Sequence, residues 1–181
     1  MDIYARQGVT EFVLAAGYRH DVIADYTTSF PTEWSVSVVD TGDEADTGDR
    51  VVACLDRMGE QFFLTYGDGV GDVNLDELRI RHQEHTGTAT VTVVPLPSQY
   101  GTLDVSGEDR VVEFQEKPVL ADHLIKAGFF VMDQAAFAGS TGGSLERDML
   151  PALSHRQELF VYRHTGFSRS MDTHKDITQL H

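Results

Sequence analysis

The segment Tyr66-Gly67-Asp68-Gly69-Val70 sets one carboxylate between two glycines at the end of a short apolar run. In open α/β sheets ligands bind at the carboxyl ends of strands, and an acid with this much room suits a large ligand and a hydrated cation. Magnesium binds through one or two carboxylates plus substrate phosphates, so a lone Asp68 fits a nucleotide-bound metal. Gly-Asp-Gly is also ordinary turn chemistry, and the residues alone leave both readings open. Glu113-Phe114-Gln115-Glu116-Lys117-Pro118 brings an acid and a lysine to a strand end stopped by proline. The chain has three lysines, Lys117, Lys126 and Lys175, so a fixed cation here stands out. It reads as a phosphate clamp or as a surface ion pair. Ser170-Met171-Asp172-Thr173 is another acid at a strand end, or the N-cap of a helix starting near His174. Asp40-Thr41-Gly42-Asp43 and Thr47-Gly48-Asp49 offer glycine backbone and hydroxyls to a flat base. His82 and His85 lack a third metal ligand at matching spacing and read as a solvated helix face.

Alternating helix and strand patterns must position these residues. Asp2–Gln7 predicts a helix end capped by Gly8, and Glu11–Ala16 a strand buried on both faces. Val22, Ile23 and Tyr26 recur at helical spacing, and Trp34–Asp40 alternates as a strand. Residues 41–49 predict a loop, Arg50–Met58 a helix and Gln61–Tyr66 the next strand. Asn74 and Glu77 form a capping box for a helix through His85, followed by a strand Thr88–Val94 that Pro95 and Pro97 stop. Beyond Pro97 the pattern turns β-rich: Gly101–Val105, a turn at 106–109, Val111–Glu116 and Ile125–Met132. Short helices at Gln134–Ala138 and Leu145–Leu153 precede strands at Leu159–His164 and Ser168–Met171. The rhythm argues for a doubly wound α/β sheet.

At 181 residues with 41% hydrophobic and 24% charged residues, the chain holds one core of good size. No stretch reaches the roughly 20 apolar residues that span a bilayer, and no secretory signal opens it, so it reads as cytoplasmic and free of membrane. A single cysteine, Cys54, excludes an internal disulfide and reads as a small core residue. The net charge of −15 excludes a broad nucleic-acid-binding face. A small phosphorylated substrate then needs a metal or a few well-placed cations.

In order and spacing, Tyr66–Val70, Tyr100-Gly101-Thr102-Leu103-Asp104-Val105, Phe114–Pro118, Gly128-Phe129-Phe130-Val131 and Met171-Asp172-Thr173 form a set. With Gly17-Tyr18, Val39–Gly42 and Thr47-Gly48, the set resembles the sugar-1-phosphate nucleotidylyltransferases, most closely the glucose-1-phosphate cytidylyltransferases, over nearly the whole chain. The resemblance implies attack by a sugar 1-phosphate oxygen on the α-phosphorus of a nucleoside triphosphate, giving a nucleotide-sugar and pyrophosphate. Glucose 1-phosphate and CTP are the favoured pair. Such catalysis is positioning and charge neutralisation, so a Ser-His or Cys-His pair is not needed. The resemblance makes Asp68, Lys117 and Asp172 the catalytic set. Asp68 and Asp172 hold Mg²⁺, Lys117 the sugar phosphate and Glu116 a sugar hydroxyl. Gly67, Tyr100, Gly101 and Gly128 line the substrate pocket, and Thr47 and Gly48 lie beside the base. The implied fold is a Rossmann-like doubly wound mixed sheet in a single incomplete domain. Residues 1–97 make a nucleotide-binding half, and 98–181 a β-rich sugar-phosphate-binding half. A homo-oligomer fits this reading.

The family's glycine-rich Gly-Gly-x-Gly-Thr-Arg loop has no counterpart here, and the resemblance puts Met1 inside the helix after it. The sheet is therefore expected to lack its first strand, and the chain as given to bind weakly and turn over little. Lys126-Ala127-Gly128 replaces a common Asn-Gly-Gly, and Asp49 replaces a glycine beside the base. Three rivals stay open. One is a related nucleotidylyltransferase using another base, such as a thymidylyl or uridylyl enzyme. Another is a metal-dependent glycosyltransferase using Asp68 and Asp72 as an acid pair; the third is an inactive nucleotide-sugar binding or assembly subunit.

Overall fold

The computed structural model describes residues 1–171 and Thr178. A short helix α1 (Asp2–Ala5) is followed by Gly8 at φ +88, a left-handed value that glycine adopts without strain. Strand β1 (Glu11–Ala16), helix α2 (His20–Thr27) and strand β2 (Ser35–Asp40) come next. β1 and β2 pair in parallel, with Glu11 opposite Ser35 and Ala16 opposite Asp40. Trp34 packs on Phe12 and Phe30 at centroid distances of 5.5 and 5.8 Å, tying the start of β2 to β1 and to the end of α2.

Helix α3 (Thr47–Val52) starts earlier than its apolar spacing predicts, because the loop residues before it form a capping box. The Thr47 N–H donates to Asp46 at 2.8 Å, and the Asp46 N–H donates to Asp49 at 3.0 Å. The helix breaks after Val52 and resumes as a 3₁₀ turn, Leu55–Arg57, with Cys54 fully buried beside the break. Strands β3 (Gln61–Thr65) and β4 (Gly69–Gly71) lead to helix α4 (Leu75–Gln83). Asn74 caps α4 by accepting the Glu77 N–H at 3.1 Å.

Strand β5 (Ala89–Pro97) runs through both prolines that were expected to stop it. Its parallel partner β9 (Leu159–Arg163) covers only Ala89–Val93, so Pro95 and Pro97 have a strand neighbour on one side only. There a missing N–H is tolerated. Strands β6 (Thr102–Val105) and β7 (Val111–Gln115) form a hairpin. Strand β8 (Val119–Asp133) is longer than the predicted 125–132 because its first half pairs with the proline end of β5. A 3₁₀ turn Gln134–Phe137, a π-helical turn Leu145–Met149, helix α5 (Leu150–His155) and strand β10 (Ser168–Ser170) complete the described chain.

The main sheet has the order β3-β8-β5-β9, with β8 antiparallel to β3 and β5, so the fold is the mixed α/β sheet expected. Phe130 and Met132 point into a core with Val91, Leu145, Met149 and Leu153. Phe129 and Val131 point the other way, against Tyr4, Val73, Leu75 and Leu78. Both faces of the last part of β8 are therefore covered, which explains its apolar run from Phe129 to Met132.

Among the described residues β1 pairs only with β2, and β3 only with β8. A slot of about 770 Å³ is lined by all of β1 and all of β3, with Ile3, Tyr4, Arg50, Tyr66 and Phe129. The sheet is thus interrupted, and a ladder edge of each of these two strands is left unpaired.

His82 and His85 do not form the solvated face expected. His82 is 3% exposed. The Gly87 N–H donates to His85 Nδ1 at 3.1 Å, so a neutral ring carries its proton on Nε2 and donates it to Thr90 Oγ1 at 2.7 Å. The Thr90 hydroxyl then donates to His82 Nδ1 at 2.9 Å, and His82 Nε2 donates to Asp133 at 3.2 Å. This relay joins α4 to β5 and to the end of β8. Among the described residues no helix is long and apolar enough to cross a membrane.

Candidate active site

At the end of β3 the chain turns through Tyr66, Gly67 and Asp68 into β4, with the Gly69 N–H donating back to the Tyr66 carbonyl at 3.4 Å. β4 pairs antiparallel with β10, Gly69 opposite Ser170, and the Met171 N–H donates to the Asp68 carbonyl at 2.9 Å. Two motifs a hundred residues apart in sequence are thereby placed side by side. Asp172 and Thr173 lie outside the described residues. Nothing stands within 4 Å of where a Cβ on Gly67 would sit. The Asp68 carboxylate is exposed and makes no hydrogen bond or ion pair among the described residues. An open, uncommitted carboxylate is what a hydrated Mg²⁺ needs as its first protein ligand. The described residues contain no group of three or more His, Cys, Asp or Glu that could hold a metal by themselves. Asp72, the other half of the glycosyltransferase pair, is committed elsewhere: the buried His164 lies 2.9 Å from its Oδ1.

The β6–β7 hairpin brings together a second group. Thr102 pairs with Gln115, which sets Gly101 next to Glu116. A Cβ on Gly101 would stand 2.7 Å from Phe114 Cζ and 3.1 Å from Glu116 Oε2. Tyr100 beside it is 78% exposed. Lys117 holds a left-handed φ of 49°, which turns the chain out of β7, and it forms no ion pair with Asp68. Gly128 sits on β8 at φ +79, where a Cβ would come 2.8 Å from the Tyr66 ring. The ring therefore lies flush against the backbone of β8, linking the Asp68 turn to Gly128.

Thr47 and Gly48, expected beside the base, are tied to another part of the chain. The Gly48 N–H donates to the Gly143 carbonyl at 2.8 Å, and a Cβ there would meet that carbonyl at 2.6 Å. The Thr47 hydroxyl donates to Glu146 at 2.7 Å and accepts from the Leu145 N–H at 2.8 Å. Asp49, read from sequence as an acid facing the base, accepts from Asp46 and from the Gly143 N–H at 2.6 Å. Both groups dock α3 onto the π-helical turn, so their hydrogen bonds are not available to a base in this arrangement.

Sequence reasoning quoted Tyr66 in the Asp68 motif and Lys126 beside Gly128 without giving either side chain a role, and it did not single out Glu146. The Tyr66 hydroxyl donates to Glu146 Oε1, and Lys126 Nζ stands 3.6 Å from that oxygen and 4.4 Å above the Tyr66 ring. Burial, then the Glu146 hydrogen bond and charge, push the Tyr66 hydroxyl far above the usual tyrosine range. It remains a donor. No spacing rule links residues 66, 126 and 146; only the packing does.

A mixed α/β sheet with an open carboxylate at the carboxyl end of a strand places Asp68 where such folds bind ligands. The nucleotidyl transferase family profile matches residues 2–158, and the chain belongs to that family. Glucose-1-phosphate cytidylyltransferase of Salmonella typhi is 31% identical over 206 residues, which cover 99% of this chain and 80% of that protein. Mannose-1-phosphate guanyltransferase of Kluyveromyces lactis is 28% identical, over 98% of this chain and 52% of that protein. Among solved structures, HddC from Yersinia pseudotuberculosis superposes with a TM-score of 0.75 at 17% identity, covering 99% of this chain and 80% of that one. That likeness shows the fold. HddC has also been crystallised with GMP-PN.

Proposed function

We propose that the protein joins a nucleoside triphosphate to a sugar 1-phosphate, with CTP and glucose 1-phosphate as the preferred pair. The observation that carries this reading is the Asp68 turn, an open carboxylate held beside Met171 by the β4–β10 pairing. In this reading Asp68 and Asp172 hold Mg²⁺, which neutralises charge at the reacting phosphate. Lys117 holds the sugar phosphate, Glu116 a sugar hydroxyl, and Tyr100, Gly101, Gly67 and Gly128 shape the pocket. The cytidylyl preference is supported by the likeness to the glucose-1-phosphate cytidylyltransferase of Salmonella typhi, 31% identical over 80% of that protein.

The slot between β1 and β3 reaches Tyr66, Gly67 and Gly69 of the Asp68 turn. Among the described residues no strand bridges β1 and β3, so weak nucleotide binding and slow turnover are expected. The test is pyrophosphate release from CTP, GTP, UTP and dTTP with glucose 1-phosphate, together with Mg²⁺-dependent binding of each nucleotide by calorimetry. CTP is expected to bind tightest, with turnover below about 1 s⁻¹, under the usual enzyme range. Tighter binding of GTP would overturn the base preference. Family-normal turnover would overturn the expected weakness.

A further inference from the structure

Glu146 is where three separate parts of the pocket meet. Oε1 accepts from the Tyr66 hydroxyl at the end of β3 and faces Lys126 of β8 at 3.6 Å. Oε2 accepts from Thr47, the first residue of α3, at 2.7 Å, and from Ser144 at 3.3 Å. Burial opposes its charge, but the Tyr66 and Thr47 hydrogen bonds, its own N–H and Lys126 outweigh burial and hold the carboxyl at about 2. The group is therefore a permanent anion, half-buried with its charge-assisted hydrogen bonds satisfied.

Tyr66 transmits that anchoring. Its ring is confined by the Gly128 backbone, by Phe130 at 5.9 Å edge-on and by Lys126 above it, while Glu146 fixes the hydroxyl. Gly67 and Asp68 follow directly, and nothing beyond the chain neighbours stands within 4 Å of where a Gly67 Cβ would sit. The Asp68 turn is then fixed from two sides, by Tyr66 before it and by the β4–β10 pairing and the Met171 N–H after it.

We propose that Glu146 is a positioning residue for the cation site at Asp68, acting through the Tyr66 hydroxyl and keeping Lys126 beside Gly128. This rests on the reading of Asp68 as a metal ligand. A carboxylate that orients a ligand-bearing turn behaves like other outer partners of metal sites, whose removal costs about 10–100-fold in metal affinity. Neither the −15 charge nor any sequence motif points to it.

The experiment titrates Mn²⁺ with CTP into the isotope-labelled chain and follows paramagnetic broadening of the Gly67, Asp68 and Gly69 amides. Glu146→Gln and Tyr66→Phe are each expected to weaken the apparent Mn²⁺ affinity about tenfold. The double variant should lose no more than either alone, and Glu146→Asp should recover part of the loss. Thermal unfolding of each variant separates lost positioning from a lost fold. If Glu146→Gln does not fold, Tyr66→Phe, which removes a single hydroxyl, carries the same expectation. Unchanged affinity in folded Glu146→Gln or Tyr66→Phe, or losses that simply add, overturns the proposal while leaving Asp68 as a ligand. Absence of broadening at Gly67–Gly69 in the wild-type chain overturns the Asp68 reading and this proposal with it.

Discussion

Asp68 and Gly128 respond to substitution for different reasons. Asp68→Asn keeps the size and removes the charge of an exposed side chain, so the fold should be unchanged within about 0.5 kcal/mol. Mg²⁺-dependent CTP binding, measured by calorimetry, should be lost; retained binding would count against the metal role. Gly128→Ala puts a side chain at φ +79 and into the Tyr66 ring. Stability should fall by about 1–3 kcal/mol in urea unfolding. Gly101→Ala meets the end of Phe114, which is 60% exposed and free to swing, and the flexible end of Glu116, so its cost should be smaller. The same φ argument is not visible in sequence, where both glycines look alike.

Helix α3 and the relay at α4 show how whole elements are held. Gly48→Ala drives a Cβ against the Gly143 carbonyl, a backbone atom, so α3 must lift off the π-helical turn. A cost of about 1–3 kcal/mol is expected, with Thr47 and Glu146 displaced together, as amide shifts would report. In the relay, burial first and then the His82 and Arg81 charges hold His85 below the usual histidine value. Asp133 on β8 opposes this, and the His85 ring stacks on Phe160 of β9 at 3.9 Å. The unfolded chain therefore takes up the His85 proton more readily than the folded one. This contribution to stability is complete above the ordinary histidine value of 6.5 and is lost as pH falls through the lower folded value. Thr90→Val removes the hydroxyl shared by both rings and leaves buried His82 Nδ1 without its donor. Stability should drop by about 1–3 kcal/mol at pH 7.5, followed by urea unfolding across pH 5–8.

Over the whole molecule, the β6–β7 hairpin stands out for its exposed apolar side chains, with Leu103, Val105, Val112 and Phe114 all more than half exposed. Amides of β1 and β3, each paired on one side, should exchange with deuterium faster than those of central β5 and β8. Equal protection in all four would mean the slot is closed in solution. The alternation of apolar runs, turn glycines and caps was enough to read most of the order of helices and strands, though not β4, and the doubly wound α/β class; the mixed sheet came from the family resemblance. The order and the class depend on local spacing and backbone freedom, which the chain carries residue by residue. Strand neighbours decided the rest. Pro95 and Pro97 remain in β5 because one side of it is free there, and His82 is buried because Thr90 and Asp133 arrive from other strands. Glu146 gathers Thr47, Tyr66 and Lys126 from far apart in sequence, so its role exists only once the sheet has closed around it.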